Sequence, residues 1–132
     1  MPKFFYRIEH RTEKIGVYNC LVTYEGLPFF FSTIMRQELG YNFCDDYHMN
    51  PRMNGLGKYM GQSARYGFAS LVKLRRWFGT NPKTYALFTE YGFVLRRFKV
   101  DERFDSDRQS IAMVEKLIDG KQISFDKVLK NQ

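Results

Sequence analysis

Histidine and cysteine are scarce in this chain, and their scarcity removes much of the chemistry a small protein could carry. His10, Cys20, Cys44 and His48 are the full complement, and the two cysteines lack the C-x-x-C spacing of a structural zinc site or a redox pair. Only Cys44 and His48 stand four apart, and Asp45 and Asp46 beside them read as a turn, so no metal is expected. The cysteines read instead as buried free thiols in a reducing compartment. A catalytic set is missing too. A base drawn from His10 or His48 with Asp45 or Asp46 finds no positioned nucleophile in the spacing, so no catalytic residue is assigned. Long apolar runs are also absent: LPFFF at 27–31 is far too short to cross a bilayer, and MPKFFYRIEH becomes charged too early for an export signal. The expected location is the cytoplasm, with no membrane partner.

Aromatic rings and positive charge are what the chain has in quantity. Thirteen Phe and nine Tyr bring the aromatic share to 17%, and rings pack into cores more often than they stack on ligands. Twenty-one Lys and Arg face 14 Asp and Glu, for a formal charge of +7. Such a balance favours acidic partners: nucleic acid, an acidic protein surface or a phosphorylated small ligand. In 132 residues, 44% of them hydrophobic, there is room for one domain with one core.

The stretch from Arg65 to Phe78 passes from strand to capped helix within three residues. Tyr66 and Phe68 suit a pleated, half-buried surface, and Ser70 stands where an N-cap would stand. Leu71, Leu74, Trp77 and Phe78 then form one apolar stripe, leaving Lys73, Arg75 and Arg76 on the other side. Gly79 offers a left-handed stop, and Arg75 and Arg76 suit the negative end of the helix dipole.

Elsewhere the pattern predicts an opening strand, Lys3 to Glu9, with Phe4, Tyr6 and Ile8 on one face and Phe5, Arg7 and Glu9 on the other. Arg7 on such a strand either reaches the rim of a site or pairs with an acid such as Glu9. Val17 to Tyr24 reads as a second extended segment ended by Gly26 and Pro28, and Phe29 to Leu39 as a helix with Phe30 and Ile34, joined by Phe31 and Met35, inward and Gly40 as its stop. Residues 41–62 carry Gly, Asn and Pro with no sustained period and read as a long loop. Asn81-Pro82 opens another helix, with Tyr85, Leu87, Phe88 and Tyr91 as its apolar side and Gly92 as its stop. Strands are predicted at Phe93–Val100, Arg108–Val114 and Lys121–Phe125, with a charged connection from Asp101 to Asp107 and a frayed helical tail at 126–132. The expected fold is therefore one α+β domain over 1–132, a small twisted, mostly antiparallel sheet with two to four helices.

The candidate binding residues are basic. Arg7, His10, Arg11, Arg75, Arg76 and Arg96 could line one face beside Tyr66 or Tyr59, with cations holding phosphates or carboxylates and rings taking bases. Lys14, Lys73, Arg97 and Lys99 belong to the same basic set. The opposing expectation is a scattered, solvated surface.

The blocks FFYRIEHRTEKIGVYN, YGFASLVKLRRWF, LFTEYGFVLRRFKV and RQSIAMV, in that order, resemble a set of small bacteriophage-encoded proteins. The resemblance departs at Gly16-Val17-Tyr18, where those proteins have Gly-Pro-Tyr, and at His48-Met49, where they often have His-Pro. It implies a phage accessory protein acting in the host cytoplasm on host-defence or nucleic-acid machinery, by binding a host or invading-system protein or nucleoprotein. The order of elements is also similar to small ADP-ribosyltransferase-like folds. That second resemblance implies an NAD or nucleotide site at Arg7, His10, Tyr66 and Ser70. It also departs, because Gln109 and Ser110 stand where those enzymes carry a glutamate, and Glu115 follows only later. Without that carboxylate transfer would be poor while binding could survive.

Overall fold

The alternation of Phe4, Tyr6 and Ile8 with Phe5, Arg7 and Glu9 produces the strand it predicts, β1 (Lys3–His10). The computed structural model describes residues 3–17, 20–40, 64–106 and 108–130, and the loop expected at 41–62 lies outside them. After β1 come β2 (Leu21–Tyr24), β3 (Leu27–Phe30), α1 (Phe31–Leu39), β4 (Ala64–Gly67), α2 (Leu71–Phe78) and α3 (Pro82–Glu90). β5 (Phe93–Val100), β6 (Phe104–Asp105), β7 (Ser110–Met113), a 3-10 turn (Val114–Lys116), β8 (Ile118–Ile123) and α4 (Asp126–Lys130) complete an α+β fold.

Among the described residues three antiparallel sheets form: β1-β5-β8, β4-β7-β6 and the hairpin β2-β3. The first two are joined where Tyr6 and Phe68 exchange backbone hydrogen bonds, both of 2.8 Å. The junction requires Gly67. A Cβ there would stand 2.5 Å from the Tyr6 carbonyl oxygen and 2.6 Å from the Phe5 ring, inside any real contact.

The main core lies between the helices and one face of the β1-β5 pair. Ile8, Phe93 and Leu95 meet Phe31, Leu74, Trp77, Phe78 and Phe88 there. Ring contacts dominate it: Phe93 lies 4.5 Å from Phe31 between centroids, and Phe78 meets Phe88 edge-on at 5.3 Å. A smaller cluster of Phe5, Val100 and Ala112 fills the space behind β1.

Local signals act as the chemistry demands. The Ser70 hydroxyl accepts the Lys73 N–H at 3.2 Å, and the Asn81 side chain accepts the Lys83 N–H at 3.0 Å ahead of Pro82. Gly40 ends α1 in the left-handed region, its N–H bonded to the Arg36 carbonyl.

Several expectations need correction, among them the charged connection from Asp101 to Asp107, which contains β6 because Phe104 and Asp105 pair with Ile111 and Ser110. The helix expected from Phe29 starts at Phe31, because Glu25 and Gly26, both with positive φ, turn the chain so that Leu27–Phe30 pairs with Leu21–Tyr24. Phe30 is consequently 52% exposed, while Phe31, Ile34 and Met35 turn inward. Gly79 has positive φ but an extended ψ of −173°, so it leaves the helix without the left-handed cap. β7 begins at Ser110 rather than Arg108, since Gln109 and Arg108 fold back onto the Ser106 hydroxyl. β8 begins three residues early, at Ile118, as its partner β5 extends to Val100.

Candidate functional site

Strand alternation sorts the cations of β1 and β5 into two populations. Arg7 and Glu9 share a face of β1, and antiparallel register sets Arg96 directly opposite Arg7. That face is covered: Arg7 is 6% exposed and Glu9 only 4%. The Glu9 carboxylate receives Arg7 Nε at 3.0 Å on one oxygen and has Arg96 Nε 3.2 Å from the other. The second contact is an ion pair without hydrogen-bond alignment. Arg7 further donates through Nη1 to the Tyr66 carbonyl at 2.8 Å and through Nη2 to the Lys14 carbonyl at 3.5 Å. Burial lowers the Arg7 pKa, and the facing Glu9 carboxylate opposes that shift. A guanidinium starts so far above neutrality that it stays charged. Arg7 therefore binds β1, the 14–16 turn and β4 together, which is the paired alternative among the two the sequence left open.

The other face of the same strands carries Phe4 and Tyr6 opposite Lys99 and Arg97, with Arg97 in turn opposite Lys121 on β8. This face continues the core face of Ile8 and Leu95 beyond the helices. Phe4 is 38% exposed, and the Arg97 guanidinium carbon stands 4.8 Å from the centre of its ring, in cation–π geometry. Lys99 and Lys121 are exposed, and Asp119 meets Lys99 only at 4.0 Å, both side chains in solvent. Arg103 reaches the same edge by donating to the Phe4 carbonyl at 3.1 Å.

The remaining sequence-predicted residues fall elsewhere. His10 organises the turn after β1, its Nδ1 accepting the Thr12 and Glu13 N–H groups and its ring edge-on to Phe93. Arg11 is exposed beyond that end of β1, about 20 Å along the strand from Phe4 at 3.3 Å per residue. Arg75 and Arg76 occupy the last turn of α2, where Arg75 Nη1 donates to the Val128 carbonyl at 3.5 Å. The six basic residues thus do not share one face: Arg7 and Arg96 meet inside, and the others lie apart from them. Among the described residues no three His, Cys, Asp or Glu side chains gather as a metal site, while Cys44, Asp45, Asp46, His48 and Tyr59 lie outside those residues.

A cleft of about 290 Å³ opens between the 13–17 turn, β4 and α2, lined among others by Arg7, Lys14, Arg65, Tyr66, Trp77 and Gln109. It holds Arg7 and Tyr66 of the expected nucleotide set, but neither His10 nor Ser70, whose hydroxyl caps α2. Sequence reasoning missed Lys121 and the part played by Phe4. Alternation in the sequence puts Phe4 and Tyr6 on one face of β1, but which residues stand opposite them follows only from the sheet order β1-β5-β8.

The family model described as Bacteriophage T4 Y00F protein matches residues 1–126. The chain belongs to that bacteriophage family. No curated protein and no solved structure matches it, and the expected likeness to ADP-ribosyltransferases gains no support from the comparisons. No helix of the described residues is long and apolar enough to cross a membrane.

Proposed function

We propose that this phage protein is an accessory factor of infection that binds a host protein or nucleoprotein with an acidic surface, through the open basic face of the β1-β5-β8 sheet. The observation that carries the reading is the set Phe4, Arg97, Lys99 and Lys121, in register on three adjacent strands, where the ion pair among the described residues is the solvent-exposed contact of Lys99 with Asp119. A flat ring under a guanidinium flanked by two flexible ammonium groups suits carboxylates or phosphates presented on a broad surface. Such a face speeds encounter with acidic partners and makes binding depend on salt. Arg97 is already oriented by Phe4, so less of its side-chain freedom is lost on binding.

Capture of the tagged chain's partner from nuclease-treated host lysate tests this. The triple variant R97E/K99E/K121E loses the partner, whereas reversal of Arg11 and Arg76 leaves capture intact. Unchanged capture by the triple variant removes the reading.

A further inference from the structure

The geometry points to a second site, a mononucleotide pocket in the cleft between β4, α2 and the 13–17 turn. The cleft combines three chemical features. Its lining is largely apolar and ring-bearing, with Tyr66, Phe68, Trp77, Ile15 and Val17 among its residues. Its depth contains Gln109, whose side chain is polar, 5% exposed and without a hydrogen-bond partner among the described residues at Nε2. Buried amides are nearly always paired, and an unpaired one is destabilising unless a ligand or water satisfies it. Rotating the terminal amide exchanges its N–H₂ and its oxygen, so it can present a donor or an acceptor to the edge of a base.

The third feature is positive charge at the mouth. Lys14 and Arg65 line this cleft and also a neighbouring one of about 340 Å³, which contains Arg96 and Glu9. Lys14 and Arg65 therefore stand where an apolar, amide-bearing cleft meets a charged one. Arg65 Nη1 also donates to the Ala64 carbonyl, the acid lining the same cleft is Glu13, and Glu9 beyond is already engaged by Arg7 and Arg96. A ligand matching both parts has a planar ring with amide-like edges and an anionic group one sugar away. A nucleoside monophosphate has that form, and a volume near 290 Å³ at the small end of ligand pockets suits one base with its ribose. The base lies among the rings with its edge toward Gln109, and the phosphate lies at Lys14 and Arg65. This site is independent of the open sheet face and of any macromolecular partner.

Trp77 is the chain's single tryptophan and lines the cleft, so its fluorescence reports occupancy directly. The experiment titrates AMP, GMP, CMP and UMP separately into the full-length protein, with the matching nucleosides and ribose 5-phosphate as partial ligands, and follows Trp77 emission and Tm. At least one mononucleotide should quench Trp77 saturably and raise Tm, with each partial ligand binding at least about tenfold more weakly. Gln109→Leu should keep or raise the ligand-free Tm, because it removes a buried Nε2 with no partner among the described residues, and should weaken nucleotide binding about tenfold or more. Lys14→Gln should weaken the mononucleotide but not the nucleoside. The proposal is overturned if none of the four produces saturable quenching, if Gln109→Leu binds as the wild type does, or if Gln109→Leu lowers the ligand-free Tm.

Discussion

Arg96 and Arg97 are neighbours in sequence and point to opposite faces of one strand. Arg96 turns toward Glu9 and Arg7 in the covered interior, whereas Arg97 lies over the exposed Phe4 ring beside Lys99 and Lys121. The contrast shows that basic composition does not by itself make a binding surface. Half of this cationic pairing holds the protein together, and the half displaced by one residue is left facing solvent. Charge reversal should therefore have opposite consequences on the two faces.

The largest effect is expected at Glu9. Glu9→Gln leaves the buried Arg7 and the half-buried Arg96 without their shared anion and should destabilise the fold by about 3–5 kcal/mol, measured by urea unfolding. A loss below about 1 kcal/mol would mean that the interior cluster is solvated and that the two faces are alike. Next comes Gly67→Ala, whose Cβ would meet a backbone carbonyl and the Phe5 ring at the join between the sheets. Overpacking of this kind costs about 1–3 kcal/mol, and the carbonyl cannot rotate away. Ser70→Ala, which removes only the cap of α2, should cost about 1 kcal/mol in the same assay. On the open face R97E/K99E should change stability by less than about 0.5 kcal/mol, as surface substitutions commonly do.

Tyr24 sharpens the contrast from a third place. Its hydroxyl donates to Glu38 at 2.5 Å, and that bond, with desolvation adding to it, pushes the phenol pKa up to about 12. The folded value lies above the ordinary value near 10, so any stabilisation is fully present below pH 10 and disappears as pH rises through 12. Ultraviolet titration should find the Tyr24 phenol ionising late in the wild type and restored toward pH 10 in Glu38→Gln, apart from Tyr91, whose phenol is also raised by burial.

Short-range features were legible in the sequence. The faces of β1, the Ser70 cap, the stripe Leu74-Trp77-Phe78 and the Asn81-Pro82 start depend on neighbours within one turn or two residues, and the structure contains all of them. Phe30 was misread because LPFFF fits either period, and the Glu25-Gly26 turn, which decides the matter, acts through pairing with Leu21–Tyr24. The destination of Arg7 was narrowed to two outcomes by its strand position. Its contact with Tyr66, 59 residues away, and the place of Arg96 opposite it follow only from the sheet's register. The open face was missed for the same reason: Phe4, Arg97 and Lys121 come from three distant segments, and only the order β1-β5-β8 brings them together. Gln109 was expected within a strand, and the burial of its Nε2 without a partner among the described residues is a property of packing.

The most direct test is a paired capture from nuclease-treated host lysate at two salt concentrations, comparing wild type, R97E/K99E/K121E and R11E/R76E, with folding of each verified by its urea midpoint. The account predicts a partner retained by the wild type and by R11E/R76E, weakened by salt, and lost from the folded triple variant. Retention by the triple variant, or loss only from R11E/R76E, would contradict the assignment of binding to the Phe4–Arg97–Lys99–Lys121 face.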